Sequence, residues 1–233
     1  MNDVARARAL VDLVALDIAG TTVEEHGAVY TALEDAVTAA GGSPGRSEIE
    51  HWMGADKHEA ITALLMFGHA LTPAPEVVHA TYQDFTARLT RAYADKPPAP
   101  VDGVPEALAA LRERGVRIAL TTGFTRDVTA PILSALGWNG GLIDTVVTVD
   151  EVPAGRPAPF MIFRAMERTG ATDVARVLVA GDTVRDLQAG VNAGAGFVVG
   201  VLTGGHDAAT LGAVRHTHLL PGVKDIPALV LRH

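Results

Sequence analysis

Cysteine is absent from the 233 residues, which excludes disulfides, thiolate metal sites and a cysteine nucleophile. That usage fits a reducing compartment. No apolar run approaches the roughly 20 residues needed to cross a bilayer. Arg6 and Arg8 precede Val11-Asp12-Leu13-Val14-Ala15-Leu16, a superficial likeness to a secretion signal. Asp12 interrupts that run and Asp17 ends it, so a strand is the better reading and the cytoplasm the expected location. Positive charge is also in deficit. A net charge of −8 argues against nucleic acid as the main partner, and no membrane partner is expected. Internal repeats and low-complexity tracts are lacking too. What is present, 48% hydrophobic and 20% charged residues, describes an ordinary globular chain able to build one large domain or two modest ones.

The periodicity predicts alternating strands and helices. Strand-like runs lie at Leu13–Leu16, Val116–Leu120, Thr145–Val149, Val177–Ala180 and Gly196–Val201. Between the later ones fall helical patterns at Val104–Arg114, Arg126–Leu136, Pro159–Arg168 and Val184–Ala193. This alternation indicates βαβ units and a parallel sheet covered on both faces. Residues from about Glu24 to Tyr93 differ: their apolar spacing is helical, and Asp95-Lys96-Pro97-Pro98-Ala99-Pro100 leads out as a stiff connector. The expected fold is α/β, a doubly wound parallel-sheet (Rossmann-like) core with an inserted helical cap domain. Residues 1–23 and 99–233 would form the core and 24–98 the cap.

Polar signals follow four of the core strands. Asp17 ends the first and enters the turn Ala19-Gly20-Thr21-Thr22; Thr122-Gly123 ends the second; Arg156 follows the third in Pro153-Ala154-Gly155-Arg156-Pro157; Asp182 and Asp186 follow the fourth. Ligands of open parallel sheets bind outside the carboxyl ends of the strands, so these distant residues are expected to converge. A carboxylate such as Asp17 suits nucleophilic attack on a phosphoryl group. Each signal alone has a plainer explanation: a turn for Thr122-Gly123, a solvated loop charge for Arg156, a helix N-cap for Asp182.

In that order the four signals resemble the motifs of the haloacid dehalogenase superfamily of phosphoryl-transfer hydrolases. The resemblance implies Asp17 as nucleophile, Thr122 and Arg156 as catalytic phosphoryl-binding groups, and Thr21, Gly123 and Met53 against the substrate. It also implies a Mg²⁺ ion held by Asp17, the backbone carbonyl of Ala19 and Asp182, with Asp186 supporting the metal or its water. Hard oxygen ligands suit Mg²⁺, which offsets repulsion between an anionic nucleophile and an anionic substrate.

Most phosphatases of the superfamily carry an acid two residues after the nucleophile; here that position is Ala19. The same substitution marks the phosphonoacetaldehyde hydrolase (phosphonatase) subfamily. The resemblance extends to Asp17-Ile18-Ala19-Gly20-Thr21-Thr22, Thr121-Thr122-Gly123, Val152-Pro153-Ala154-Gly155-Arg156-Pro157, Gly181-Asp182-Thr183-Val184 and Met53-Gly54-Ala55-Asp56-Lys57. It implies Lys57 as a catalytic amine that forms a Schiff base with an aldehyde, so that the electrons of a breaking phosphorus–carbon bond have somewhere to go. The alternative for Lys57 is a solvated charge on a cap helix. Two positions depart from the subfamily: Ala60 stands where it has histidine, and Phe124 where it has tyrosine. His58 neighbours the lysine but should point elsewhere on a helix. His216 and His218 could share a strand face, without a third ligand, and are expected at the surface.

The leading expectation is a Mg²⁺-dependent hydrolase of a small phosphonate or phosphorylated substrate, cleaving the phosphorus–carbon bond of phosphonoacetaldehyde or a close analogue through a lysine imine and an aspartyl-phosphate. The alternatives are a phosphomonoester phosphatase or a catalytically weak phosphate-binding module. The sequence leaves the oligomeric state open, a homodimer included.

Overall fold

The computed structural model describes residues 9–68, 72–138 and 141–231; Arg6 and Arg8 lie outside them. Strand β1 (Leu13–Asp17) is followed by β2 (Val23–Glu24) and helices α1 (Ala28–Ala39), α2 (Arg46–His51), α3 (Lys57–Leu65) and α4 (Pro75–Asp95). The chain returns through β3 (Ala99–Pro100), α5 (Val104–Glu113), β4 (Arg117–Thr122), α6 (Arg126–Ala135) and β5 (Thr145–Thr148). It ends with α7 (Phe160–Thr169), β6 (Val177–Gly181), α8 (Val184–Ala193), β7 (Phe197–Val201), α9 (Ala208–Gly212), β8 (His218–Leu220) and α10 (Ile226–Val230).

Six strands form one parallel sheet in the order β5-β4-β1-β6-β7-β8. Both neighbours of β1 are parallel strands reached by crossovers, so β1 is fully interior and all five of its residues are buried. Side chains alternate across the strand. Leu13 and Ala15 join Met161, Ile162 and Ala165 of α7 on one face, while Val14 and Leu16 join Leu108 and Leu111 of α5 on the other. The expected α/β architecture is therefore present.

Strand β4 runs two residues beyond the expected end, because Thr121 and Thr122 continue the ladder opposite Val147 and Thr148. The expectation for the histidine pair needs correcting. Strand β8 starts only at His218, which stacks on Phe197, while His216 precedes the strand and contacts the Val214 carbonyl. A three-residue edge strand is too short to leave a periodic signal.

Helices α1–α4 form the inserted cap, with Leu33, Val37, Ile61, Leu64, Phe85 and Leu89 at its centre. The insert leaves and re-enters through the β2–β3 ribbon, where Val23 pairs with Pro100 and Glu24 with Ala99. Proline is tolerated there because the ribbon has only two strands and both are edges. The cap thus springs from the chain six residues after Asp17.

Candidate active site

Register places the first polar groups. Asp17 lies opposite Thr121 at the carboxyl end of the β1–β4 pair, and β6 ends beside them at Gly181. The tight turn after β1 is fixed by Thr22, whose hydroxyl donates to the Asp17 carbonyl at 2.9 Å. The four strand-end signals meet around one cavity of about 210 Å³ between sheet and cap.

Arg156 is the hub. It is only 4% exposed, so it is no solvated loop charge. Nη1 donates to Asp17 Oδ1 at 2.6 Å, Nη2 to the Thr121 hydroxyl and carbonyl at 2.7 and 2.9 Å, and Nε pairs with Asp186 Oδ1 at 2.9 Å. A planar guanidinium with its donors spread over three partners is held in one orientation. Thr121, which carries no role in the sequence expectations, is one of its anchors. Thr122, by contrast, lines the cavity while its hydroxyl accepts from the Phe124 amide at 3.1 Å.

Asp182 does not cap α8. Thr183 does, in a capping box whose acidic partner is Asp186: Asp186 Oδ2 accepts from the Thr183 amide at 3.1 Å and its hydroxyl at 2.5 Å. Both Asp186 oxygens are thereby occupied within the protein, and Asp186 does not line the cavity. Asp182 does line it. Its carboxylate accepts from Thr21 Oγ1 at 2.9 Å and the Gly205 amide at 2.6 Å. Thr21 therefore contacts Asp182 and is itself absent from the cavity wall, whereas Ala19, Met53 and Gly123 are on it.

Burial pushes the Asp17 carboxyl above the usual carboxylate range; the neighbouring Arg156 offsets part of the rise, and Asp186 and Asp182 add to it. Burial, reinforced by Asp186, likewise raises Asp182 to about 6. Two crowded carboxylates on one wall, both disfavoured as anions, form a donor set that a divalent cation would relieve. Among the described residues no group of three or more His, Asp or Glu side chains converges on one point. An ion held by Asp17 and Asp182 would complete its shell from backbone carbonyl, substrate and water. This partial, all-oxygen set fits Mg²⁺.

Lys57 enters the cavity from the cap as the first residue of α3, behind the N-cap Asp56. It is 4% exposed; Nζ donates to the Ala55 carbonyl at 3.0 Å and lies 5.4 Å from the centroid of the Phe124 ring. Burial lowers its pKa to about 8, against the opposing pull of Asp17 and Asp56. Lys57 is thus no solvated charge. His58 stacks on Tyr82 with ring centroids 4.0 Å apart and does not line the cavity. Ala60 is buried inside the cap and also stays off the cavity wall. The cap loop rests directly on the core: a Cβ at Gly123 would lie 2.5 Å from the Ala55 carbonyl, and one at Gly54, where φ is +75°, 2.6 Å from Thr183 Oγ1. Glycine is what lets these two loops touch.

The helix α1 contributes a wall that sequence motifs did not reveal, including Val29 and Tyr30. Burial, with Asp182 and Glu50 adding to it, pushes the Tyr30 phenol upward, so it stays neutral.

Comparison with known proteins agrees with this geometry. The family model of haloacid dehalogenase-like hydrolases matches residues 11–194. A phosphonoacetaldehyde hydrolase of Bacillus cereus (strain B4264) is 37% identical over 139 residues, covering 60% of this chain and 51% of that protein. One from Parabacteroides distasonis is 41% identical over 108 residues, 46% of this chain and 40% of that protein. The matched region thus spans about half the length of these relatives or less. Among solved structures, a hydrolase from Pseudomonas syringae has a TM-score of 0.82 at 21% identity, covering 94% of this chain and 96% of that one. A phosphonoacetaldehyde hydrolase-like protein from Oleispira antarctica has a TM-score of 0.79 at 20% identity, covering 98% and 94%. At those identities the solved structures establish the fold alone. With the family model covering most of the chain, this protein belongs to the haloacid dehalogenase-like hydrolases.

Proposed function

We propose that this hydrolase is a Mg²⁺-dependent, phosphonatase-like enzyme that cleaves the phosphorus–carbon bond of phosphonoacetaldehyde or a close analogue. Residues 24–98 serve as its cap and the remainder as its core. The observation that carries the proposal is a buried amine, Lys57, sharing one small cavity with Asp17 while Ala19 leaves no acid in the phosphatase position. An alkoxide leaving group needs a proton donor; a carbanion-like one needs an electron sink.

In this scheme the neutral Lys57 amine condenses with the aldehyde, releasing water, and the imine takes up a proton from solvent to become the iminium. Asp17 attacks phosphorus as the phosphorus–carbon bond breaks, and the bonding pair moves into the iminium to give an enamine on Lys57. Protonation at carbon and hydrolysis release acetaldehyde and restore the amine. Water then frees phosphate from the aspartyl-phosphate. Arg156, locked by Thr121 and Asp186, holds Asp17 in line and supplies positive charge beside the transferring group. Asp17, Asp182 and the Ala19 carbonyl would hold Mg²⁺, which supplies charge neutralisation at the phosphoryl oxygens. Met53 and Gly123 line the substrate space, with Thr122 beside the phosphoryl group.

The chain has only three lysines, and Lys96 and Lys224 are exposed. Borohydride reduction during turnover of phosphonoacetaldehyde should therefore leave a secondary amine at Lys57, mapped by peptide mass, and Lys57→Ala should abolish both adduct and turnover. Full turnover with an unmodified Lys57 would overturn the imine scheme. Robust phosphate-ester hydrolysis insensitive to Lys57→Ala would instead identify a phosphomonoester phosphatase.

A further inference from the structure

The Tyr30 hydroxyl is buried and has no hydrogen-bond partner among the described residues. Most buried hydroxyls are paired, because leaving one unpaired costs about 1–3 kcal/mol. The phenol is not misplaced by loose packing. It lies so near the loop after β7 that a Cβ on Gly205 would sit 2.4 Å from Oη. Gly205 in turn donates its amide to Asp182. A glycine that makes room for a hydroxyl, and a hydroxyl that bonds to nothing in the protein, together mark a group kept for something that enters the cavity.

The polar groups of that cavity divide by origin. Asp17, Thr122, Arg156 and Asp182 come from the core strands or the loops that follow them, as do Thr183 and Thr203, and the first four surround the place of the phosphoryl group. Lys57 and Tyr30 come from the cap helices α3 and α1, and the carboxylates Glu24 and Glu25 from the end of β2 and the link between it and α1. His58 and Ala60 are off the cavity wall, and Phe124 offers only a ring, so Tyr30 is the hydroxyl that the cap helices bring to the cavity.

We propose that Tyr30 is a specificity-determining residue whose hydroxyl donates a hydrogen bond to the oxygen on the carbon chain of the substrate, the aldehyde oxygen in a phosphonoaldehyde. The choice of a phosphonate carrying an oxygen at its second carbon rests on the function proposed above; the selective loss on removing the hydroxyl does not depend on imine formation.

The test uses unreactive ligands, so it does not need turnover. Calorimetric titration in magnesium-containing buffer compares 2-hydroxyethylphosphonate, ethylphosphonate and inorganic phosphate on the wild type and on Tyr30→Phe. The wild type is expected to bind 2-hydroxyethylphosphonate about five- to tenfold more tightly than ethylphosphonate, the worth of one neutral hydrogen bond. Tyr30→Phe should erase that preference and leave ethylphosphonate and phosphate unchanged, with a thermal midpoint no lower than the wild type. A preference that survives in Tyr30→Phe, or is absent in the wild type, overturns the assignment. An equal weakening of all three ligands overturns it too, since the hydroxyl would then serve the phosphoryl end. A lowered midpoint with unchanged binding would show a hydroxyl held for structure. A missing Lys57 adduct with a selective Tyr30→Phe effect would sink the imine scheme and spare this inference.

Discussion

For Lys57 the burial of a single ammonium sets a kinetic signature. An ordinary lysine, at 10.5, is neutral about once in ~3,000 molecules at pH 7; at about 8 the fraction is about one in ten. Burial in the cap therefore enriches the reactive amine roughly 300-fold, at the expense of holding a charge out of water. In the proposed imine scheme only the neutral form condenses with the aldehyde, so kcat/KM should climb about tenfold per pH unit below about 8 and level off above it. The rate of borohydride-trapped adduct formation should follow the same curve. A profile flat from pH 6 to 9 would remove Lys57 from the chemistry. Asp17 and Arg156 behave differently at this scale, since their value lies in fixed geometry: one guanidinium touches Asp17, Thr121 and Asp186 at once.

Between elements, two contacts tie cap to core on either side of the cavity. The Arg185 guanidinium of α8 lies 4.6 Å from the Trp52 ring centroid, and its Nε donates to the His51 carbonyl at 3.3 Å. Across the site, Tyr82 of α4 shares a 2.7 Å hydrogen bond with Thr125, the N-cap of α6. A cation over an indole contributes about 0.5–2 kcal/mol, depending on desolvation. Arg185→Ala should therefore loosen the cap without unfolding the core. The expected result is KM raised about fivefold and faster amide hydrogen exchange through α2 and residues 52–56, with exchange in β1 and β6 unchanged. Equal acceleration throughout would mean that Arg185 supports global stability instead. None of these tethers was legible in the sequence, because each joins residues far apart in the chain with no motif of their own. The strands and helices were legible for the opposite reason: β1 and α8 carry their burial pattern and caps locally. The strand-end residues Asp17, Arg156 and Asp182 could be singled out because topology alone drives them together. Thr121 and Tyr30 could not, since one reads as strand and the other as ordinary helix surface.

Across the whole molecule, charge rather than packing governs how the protein should respond to solution conditions. Asp17 and Asp182 both stand above their unfolded pKa values, so the metal-free native state binds more protons than the unfolded chain over that window. The sign is then fixed: stability falls as pH rises from the unfolded value near 4 through the raised native values. A divalent cation that binds the ionised pair reverses this by mass action. Metal-free protein should show a thermal midpoint that declines from pH 5 to 8, and Mg²⁺ should raise the midpoint more at pH 8 than at pH 5.5. Asp17→Asn should blunt both effects. A Mg²⁺ effect independent of pH would place the ion somewhere other than between these carboxylates.

The insertion point of the cap has one more implication. Lys57 travels with α3 and Asp17 is built into the central strand, so bond cleavage would leave the two halves of the substrate on separate parts of the protein. The two-carbon fragment would be tethered above and the phosphoryl group anchored below. Parting of cap and core would then carry the fragments away from each other before either is released. Recombination would be prevented by distance, and neither product would have to wait for the other to leave.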